Sequence, residues 1–169
     1  MTVNSVNTYI VPTVANEVTM PSQPAFLAYL ANDDNDVTGN GTLYQLGTTG
    51  NALTEIFDQN ADFNVNGTFT SPVTGRYYLT STIEFLQAAA GTTAQINIVT
   101  SNRTYTYEDG CDTNVNTNGS IQLAALADMD AADTAIITAL VNGIGLDTAD
   151  VDGTGAAIPR TWYCGNLTV

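Results

Sequence analysis

Apolar and polar residues alternate with a period of two along most of this chain, and no stretch carries a helical period. The pattern is clearest from residue 67 to residue 85, GTFTSPVTGRYYLTSTIEF. Pro72 and Gly75 punctuate a turn, one by fixing φ and the other by tolerating positive φ. After the turn Tyr77, Leu79, Ser81, Ile83 and Phe85 share one face, while Arg76, Tyr78, Thr80, Thr82 and Glu84 share the other. Further strands are predicted over 24–31, 42–46, 53–57, 94–100, 104–107, 120–126, 134–141 and 160–169. Between them, 32–41, 47–51, 110–119, 127–133 and 142–159 read as polar, turn-rich loops. Roughly ten short strands and no amphipathic helix predict an all-β sandwich.

The segment AIITALV is apolar on both faces: Ile137, Ala139 and Val141 alternate with Ile136, Thr138 and Leu140. A sandwich strand with one wet face would alternate apolar and polar. A two-faced strand is covered twice, the second time by a loop of its own chain or by a neighbouring subunit. Tyr78, Ile136, Thr138 and Leu140 are therefore the candidate subunit-interface residues. Residues 1–23, with Pro12 and Pro21 and no helical period, read as an extended N-terminal arm whose apolar knot is Tyr9, Ile10, Val11 and Pro12. Such an arm is either a loosely ordered terminus or a strap across a neighbouring subunit. Residues 24–169 form the domain proper.

Composition narrows the chemistry. The 169 residues include no His and no Lys, three Arg and seventeen carboxylates, for a net charge of −14. Three scattered arginines cannot build the basic patch that phosphate binding requires, so no nucleic-acid partner is expected. An anionic membrane surface is excluded for the same reason. The longest apolar run, 135–141, suits a buried strand rather than a membrane span, and no signal peptide is legible. Without His or Lys, the Ser–His, Cys–His, Ser–Lys and Schiff-base arrangements are unavailable, and an enzyme is not expected. No cofactor is implied. Cys111 and Cys164 are too few for a disulfide scaffold, and their separation leaves pairing open. Two acidic loops, 33–36 and 147–153, carry hard oxygen donors. Asp147, Asp150 and Asp152 are candidate calcium ligands, the alternative being a solvated acidic loop. Tyr105 and Tyr107 share a strand face and either stack on a sugar or pack in a core or interface.

The segment F-T-S-P-V-T-G-R-Y-Y-L, with Phe69, Pro72, Gly75 and Tyr77 in order after Phe63 and Gly67, resembles the centre of the C1q/TNF-like jelly roll. PAFLAYLA at 24–31 resembles that family's opening strand. The pair 120–126 and 134–141 resembles its later hairpin, with Ala132-Asp133 replacing the usual Gly-Asp. The last ten residues resemble its closing strand, with Trp162 and Gly165 in the aromatic and glycine places. The resemblance implies a jelly-roll β-sandwich and a homotrimer. A jelly roll of this kind with an extended arm and an Asn/Thr/Gly-rich composition looks like a bacteriophage virion protein. The expectation is a capsid decoration (cement) protein on the capsid surface of the virion. It would assemble in the host cytoplasm and bind the major capsid protein through its arm. The receptor-binding tip of a tail or head fibre is the alternative.

Overall fold

The structure is a computed structural model that describes residues 22–110 and 118–168. The strands in chain order are β1 (Ala25–Tyr29), β2 (Asp34–Thr38), β3 (Tyr44–Gln45), β4 (Thr54–Gln59), β5 (Phe63–Asn64) and β6 (Thr68–Thr70). They continue as β7 (Gly75–Leu86), β8 (Thr93–Thr100), β9 (Thr104–Gly110), β10 (Gly119–Met129), β11 (Thr134–Asn142), β12 (Ala149–Val151) and β13 (Trp162–Leu167). No helix occurs among the described residues.

The strands form two sheets. One runs β2-β12-β7-β13-β1-β4, with β10 also paired to β7; the other runs β5-β6-β11-β8-β9, with β3 also paired to β11. Every pairing is antiparallel. The strand after the Pro72–Gly75 turn is the organising element. It is the longest strand, pairs with β10 along 75–85, and on its other edge holds β13 and then β12.

The core lies between the sheets and follows the period-two pattern. Tyr77, Leu79, Ser81, Ile83 and Phe85 are buried, as are Ile96 and Ile98 of β8 and Ala135, Ile137, Ala139 and Val141 of β11. An aromatic cluster closes one part of the core. Phe26 stacks on Phe63 (centroids 4.5 Å apart) and on Phe69 (5.0 Å), and meets Tyr163 edge-on at 4.8 Å. Each such pair adds about 1 kcal/mol beyond area burial. Gly165 makes room for this cluster: a Cβ there would stand 2.6 Å from Leu79 Cδ2 and 2.8 Å from Phe26 Cε1. The glycine of the closing strand is thus a packing requirement.

Two strands fall where loops are expected. Residues 34–38 form β2 and 149–151 form β12, and the two pair with each other at the sheet edge. Their Asp-rich sequence hides them from a hydrophobicity pattern. The buried carboxylates of the two strands, Asp34 and Asp150, are satisfied: Asp34 accepts from the Tyr44 hydroxyl (2.7 Å) and from the Asn51 backbone and side-chain N–H groups (2.7 Å each), and Asp150 from the Asp36 N–H (2.8 Å). A buried polar group costs little once its hydrogen bonds are made. β10 also runs to Met129, past the expected end at 126.

Candidate functional site

The proposed interface residues do not converge. Tyr78 lies on the outer face of the seven-stranded sheet, whereas Ile136, Thr138 and Leu140 lie on the outer face of the other sheet, on the far side of the sandwich. The two faces differ in chemistry.

On the six-stranded sheet, register aligns Gln45, Thr138, Asn97 and Thr106 across four strands. Asn97 Nδ2 donates to Thr138 Oγ1 (3.1 Å), and Asn97 Oδ1 accepts from the Thr106 hydroxyl and from Gln95 Nε2 (2.8 Å each). Asn97 and Thr138 are buried although they point away from the core, beside half-buried Ile136, Leu140 and Val99. Side chains of the same chain therefore cover the outer face of β11.

On the seven-stranded sheet, register aligns Phe57, Leu27, Cys164, Thr80 and Ala124 in one row. Gln59, Ala25, Asn166, Tyr78 and Leu126 form the row on one side, and Thr54, Tyr29, Trp162, Thr82 and Gln122 the row on the other. None of these positions is Asp, Glu or Arg, in a chain with seventeen carboxylates. Tyr78 and Leu126, directly opposed across β7 and β10, are exposed at 43% and 56%, and Phe57 on the edge strand β4 at 46%. Charge stands only at the rim: Arg76 beside Asp128 at one end, and Glu84 paired with Arg160 at 2.8 Å at the other. Cys164 is a free, half-buried thiol whose pKa burial pushes up, which disfavours the reactive thiolate. Cys111 lies outside the described residues. The Oγ1 of Thr80 is buried with no hydrogen-bond partner.

The sequence missed most of this face because its rows are assembled from five strands far apart in the chain. One signal was legible: in SIQLAALA, Ala124 and Leu126 alternate with Leu123, Ala125 and Ala127, the same two-faced pattern as β11.

The three candidate calcium ligands are not brought together either. Asp147 accepts from the Asn40 N–H (2.9 Å) and the Thr42 hydroxyl (2.5 Å), bonds that hold its carboxyl below the usual range. Asp150 accepts from the Asp36 N–H (2.8 Å) and from Gln87 Nε2. Asp152 pairs with Arg160 at 3.2 Å. No group of three or more metal-ligating side chains occurs among the described residues. These carboxylates pin loops to one another. Tyr105 packs against the core and Tyr107 is exposed at the sandwich edge, its hydroxyl donating to Asp109 (3.2 Å). Tyr9, Ile10, Val11 and Pro12 lie outside the described residues.

No family model and no curated protein sequence matches the chain. Solved structures do. The globular domain of zebrafish complement 1qA superposes with a TM-score of 0.56 at 19% identity, over 87% of this chain and 98% of that one. Murine APRIL at pH 5.0 superposes with a TM-score of 0.58 at 10% identity, over 86% and 99%. The fold is a C1q/TNF-like jelly roll. The similarity covers nearly the whole length of each neighbour. At these identities it is the backbone arrangement that is shared, and function is argued from the faces.

Proposed function

We propose that this jelly roll is a structural, non-enzymatic protein that assembles as a homotrimer and decorates a bacteriophage capsid. The observation that carries the assembly reading is the neutral, apolar outer face of the seven-stranded sheet. Copies that each carry a charge of −14 repel one another at most approaches. The rows around Cys164 and Thr80 are where two copies can meet without bringing carboxylates together. Phe57, Tyr78 and Leu126 are each about half covered already, so burying the remainder there contributes about 1 kcal/mol per side chain. Aromatic anchors within an uncharged centre and a charged rim are what a stable interface requires. The fold adds support, because solved neighbours of this fold include a complement globular domain and APRIL.

The capsid role rests on the sequence. The composition is acidic, rich in Asn, Thr and Gly, and lacks the His and Lys that most catalytic arrangements need. Residues 1–23 supply an arm with Tyr9, Ile10, Val11 and Pro12 as anchors on the major capsid protein. Electron cryo-microscopy of native virions tests this directly. Trimeric density spread over the shell is expected, and absence from the shell defeats the capsid role. A chain lacking residues 1–23 is expected to lose shell attachment while keeping its trimeric mass.

A fibre-tip role is the second reading. The exposed Leu146 (70%) and Ile158 (71%) on the β11–β12 and β12–β13 loops favour it, since such loops suit receptor contact. Density confined to a tail or fibre end would select it.

A further inference from the structure

The sequence contains four Asn-Gly pairs, at 40–41, 66–67, 118–119 and 142–143. In such a pair the glycine nitrogen meets no Cβ of its own residue as it approaches the preceding side chain. Whether it can attack depends on where its N–H is held. The Gly41 N–H donates to the Val141 carbonyl (3.0 Å), and the Gly67 N–H donates to the Asn64 carbonyl (2.8 Å). Asn66 Oδ1 is itself turned to the Thr68 N–H at 3.0 Å. At 40–41 the nitrogen is committed to another carbonyl, and at 66–67 both the nitrogen and the amide oxygen are committed elsewhere. At 142–143 they face: the Gly143 N–H donates to Asn142 Oδ1 at 2.9 Å. The Asn142 carbonyl is fixed by the Thr92 N–H (2.7 Å) and hydroxyl (3.3 Å), and both Asn142 and Gly143 are open to water.

We propose that Asn142 is a self-modification site, converting to aspartate and isoaspartate in the folded protein while Asn40 and Asn66 are protected. The Gly143 nitrogen, losing its proton to water or hydroxide, attacks Cγ of Asn142. The C–N bond to the side-chain amine breaks, and ammonia leaves with a proton returned by solvent. Water then opens the five-membered imide at either carbonyl. Opening at one gives an ordinary aspartate at this position, and opening at the other gives isoaspartate with a lengthened backbone. No oxidant or cofactor is needed. Before the proton is lost, the hydrogen bond to Oδ1 holds the glycine nitrogen against the side-chain amide, the arrangement from which proximity gains arise.

The change would matter locally. Asn142 Oδ1 lies beside Gly41, in the loop that Asp147 pins through Asn40 and Thr42. A new carboxylate there sets a like charge beside the Asp147 clasp and loosens the 39–43 and 143–148 loops.

Peptide-mapping mass spectrometry of the full chain, aged at mildly basic pH either native or unfolded in urea, tests the proposal. In the native protein the Asn142 peptide should gain about one mass unit, with isoaspartate, roughly tenfold faster than the Asn40 and Asn66 peptides. In urea the three should convert at similar rates. Native conversion of Asn40 or Asn66 as fast as Asn142 overturns the proposal, as does slower conversion of Asn142 in the native than in the unfolded chain. Asn142→Gln keeps an amide but disfavours the five-membered ring. Its peptide should stay unmodified, and persistence of the mass gain there would equally overturn the proposed chemistry.

Discussion

The two outer faces of the sandwich solve the same problem differently. Both carry strands that are apolar where a monomer would place polar residues. On the six-stranded sheet a hydrogen-bonded row runs Thr138–Asn97–Thr106, with Thr138 and Asn97 buried by the chain's own side chains and Thr106 exposed at its end, so the centre of the face is finished by the chain itself. On the seven-stranded sheet Phe57, Tyr78 and Leu126 stay exposed, no charge occupies the three central rows, and Thr80 Oγ1 has no partner. A two-faced strand therefore signals that a second cover exists without saying whether the chain or a neighbour supplies it. Polar satisfaction separates the two cases: the self-covered face is internally bonded, and the open face is left with apolar area and an orphan hydroxyl.

The largest expected effect is on assembly. Leu126→Asp or Phe57→Asp places a carboxylate in the neutral face and should reduce the proposed trimer to a single-chain mass in sedimentation, with the fold retained by circular dichroism. Ile136→Asp on the opposite face should leave the mass unchanged. If Ile136→Asp dissociates the assembly and Leu126→Asp does not, the faces have been assigned the wrong way round. The next effect is on stability. Asn97→Ala removes the centre of the row and leaves the buried Thr138 hydroxyl short of a partner. A cost of about 1–3 kcal/mol in denaturant unfolding is expected, with assembly mass unaltered. No measurable cost would mean that the row does not hold its face together.

The sandwich class and most strands were legible because alternation is local: Tyr77 to Phe85 and Ile137 to Val141 announce their buried faces within a few residues. The resemblance carried by Phe69, Pro72, Gly75 and Tyr77 led to the same jelly roll as the structural neighbours. β2 and β12 were illegible because an Asp-rich strand is stable only where Tyr44, Asn51 and Gln87 reach its carboxylates, contacts made across distant loops. The candidate face was illegible for a related reason. Phe57, Leu27, Cys164 and Thr80 become neighbours only through register between β4, β1, β13 and β7. Joining Tyr78 to Ile136, Thr138 and Leu140 assumed that apolar second faces lie on one side, and that information is absent from any single strand.

Smaller effects sharpen the contrast in polar satisfaction. Thr80→Val keeps the shape but replaces the orphan hydroxyl with a methyl group. A gain of about 1 kcal/mol in unfolding free energy is expected, since an unpaired buried hydroxyl is a net cost. A loss would imply that Thr80 Oγ1 finds a partner in solution.

The smallest effect is at the edge of the same sheet, in the turn after β4. There Asp62 Oδ2 is buried without a partner, while Asp58 accepts from the Asp62 and Phe63 N–H groups. Burial first, and then the Asp58 charge, raises the Asp62 pKa above its ordinary 3.8. The folded state therefore takes up this proton before the unfolded state does as pH falls. Above the raised value Asp62 weighs against folding, and the penalty lifts as pH falls through that value towards 3.8. Asp147 has the opposite sign: its lowered pKa gives stabilisation that is present above 3.8 and lost as pH falls through the depressed value. Asp62→Asn should raise stability slightly at neutral pH and remove the Asp62 contribution from the acid limb, whereas Asp147→Asn should lower stability at neutral pH and less so in acid. Unfolding curves measured from neutral pH down through 3.8 decide between them. Identical pH profiles for the two variants would show that the unpartnered turn and the hydrogen-bonded clasp do not differ as their geometry requires.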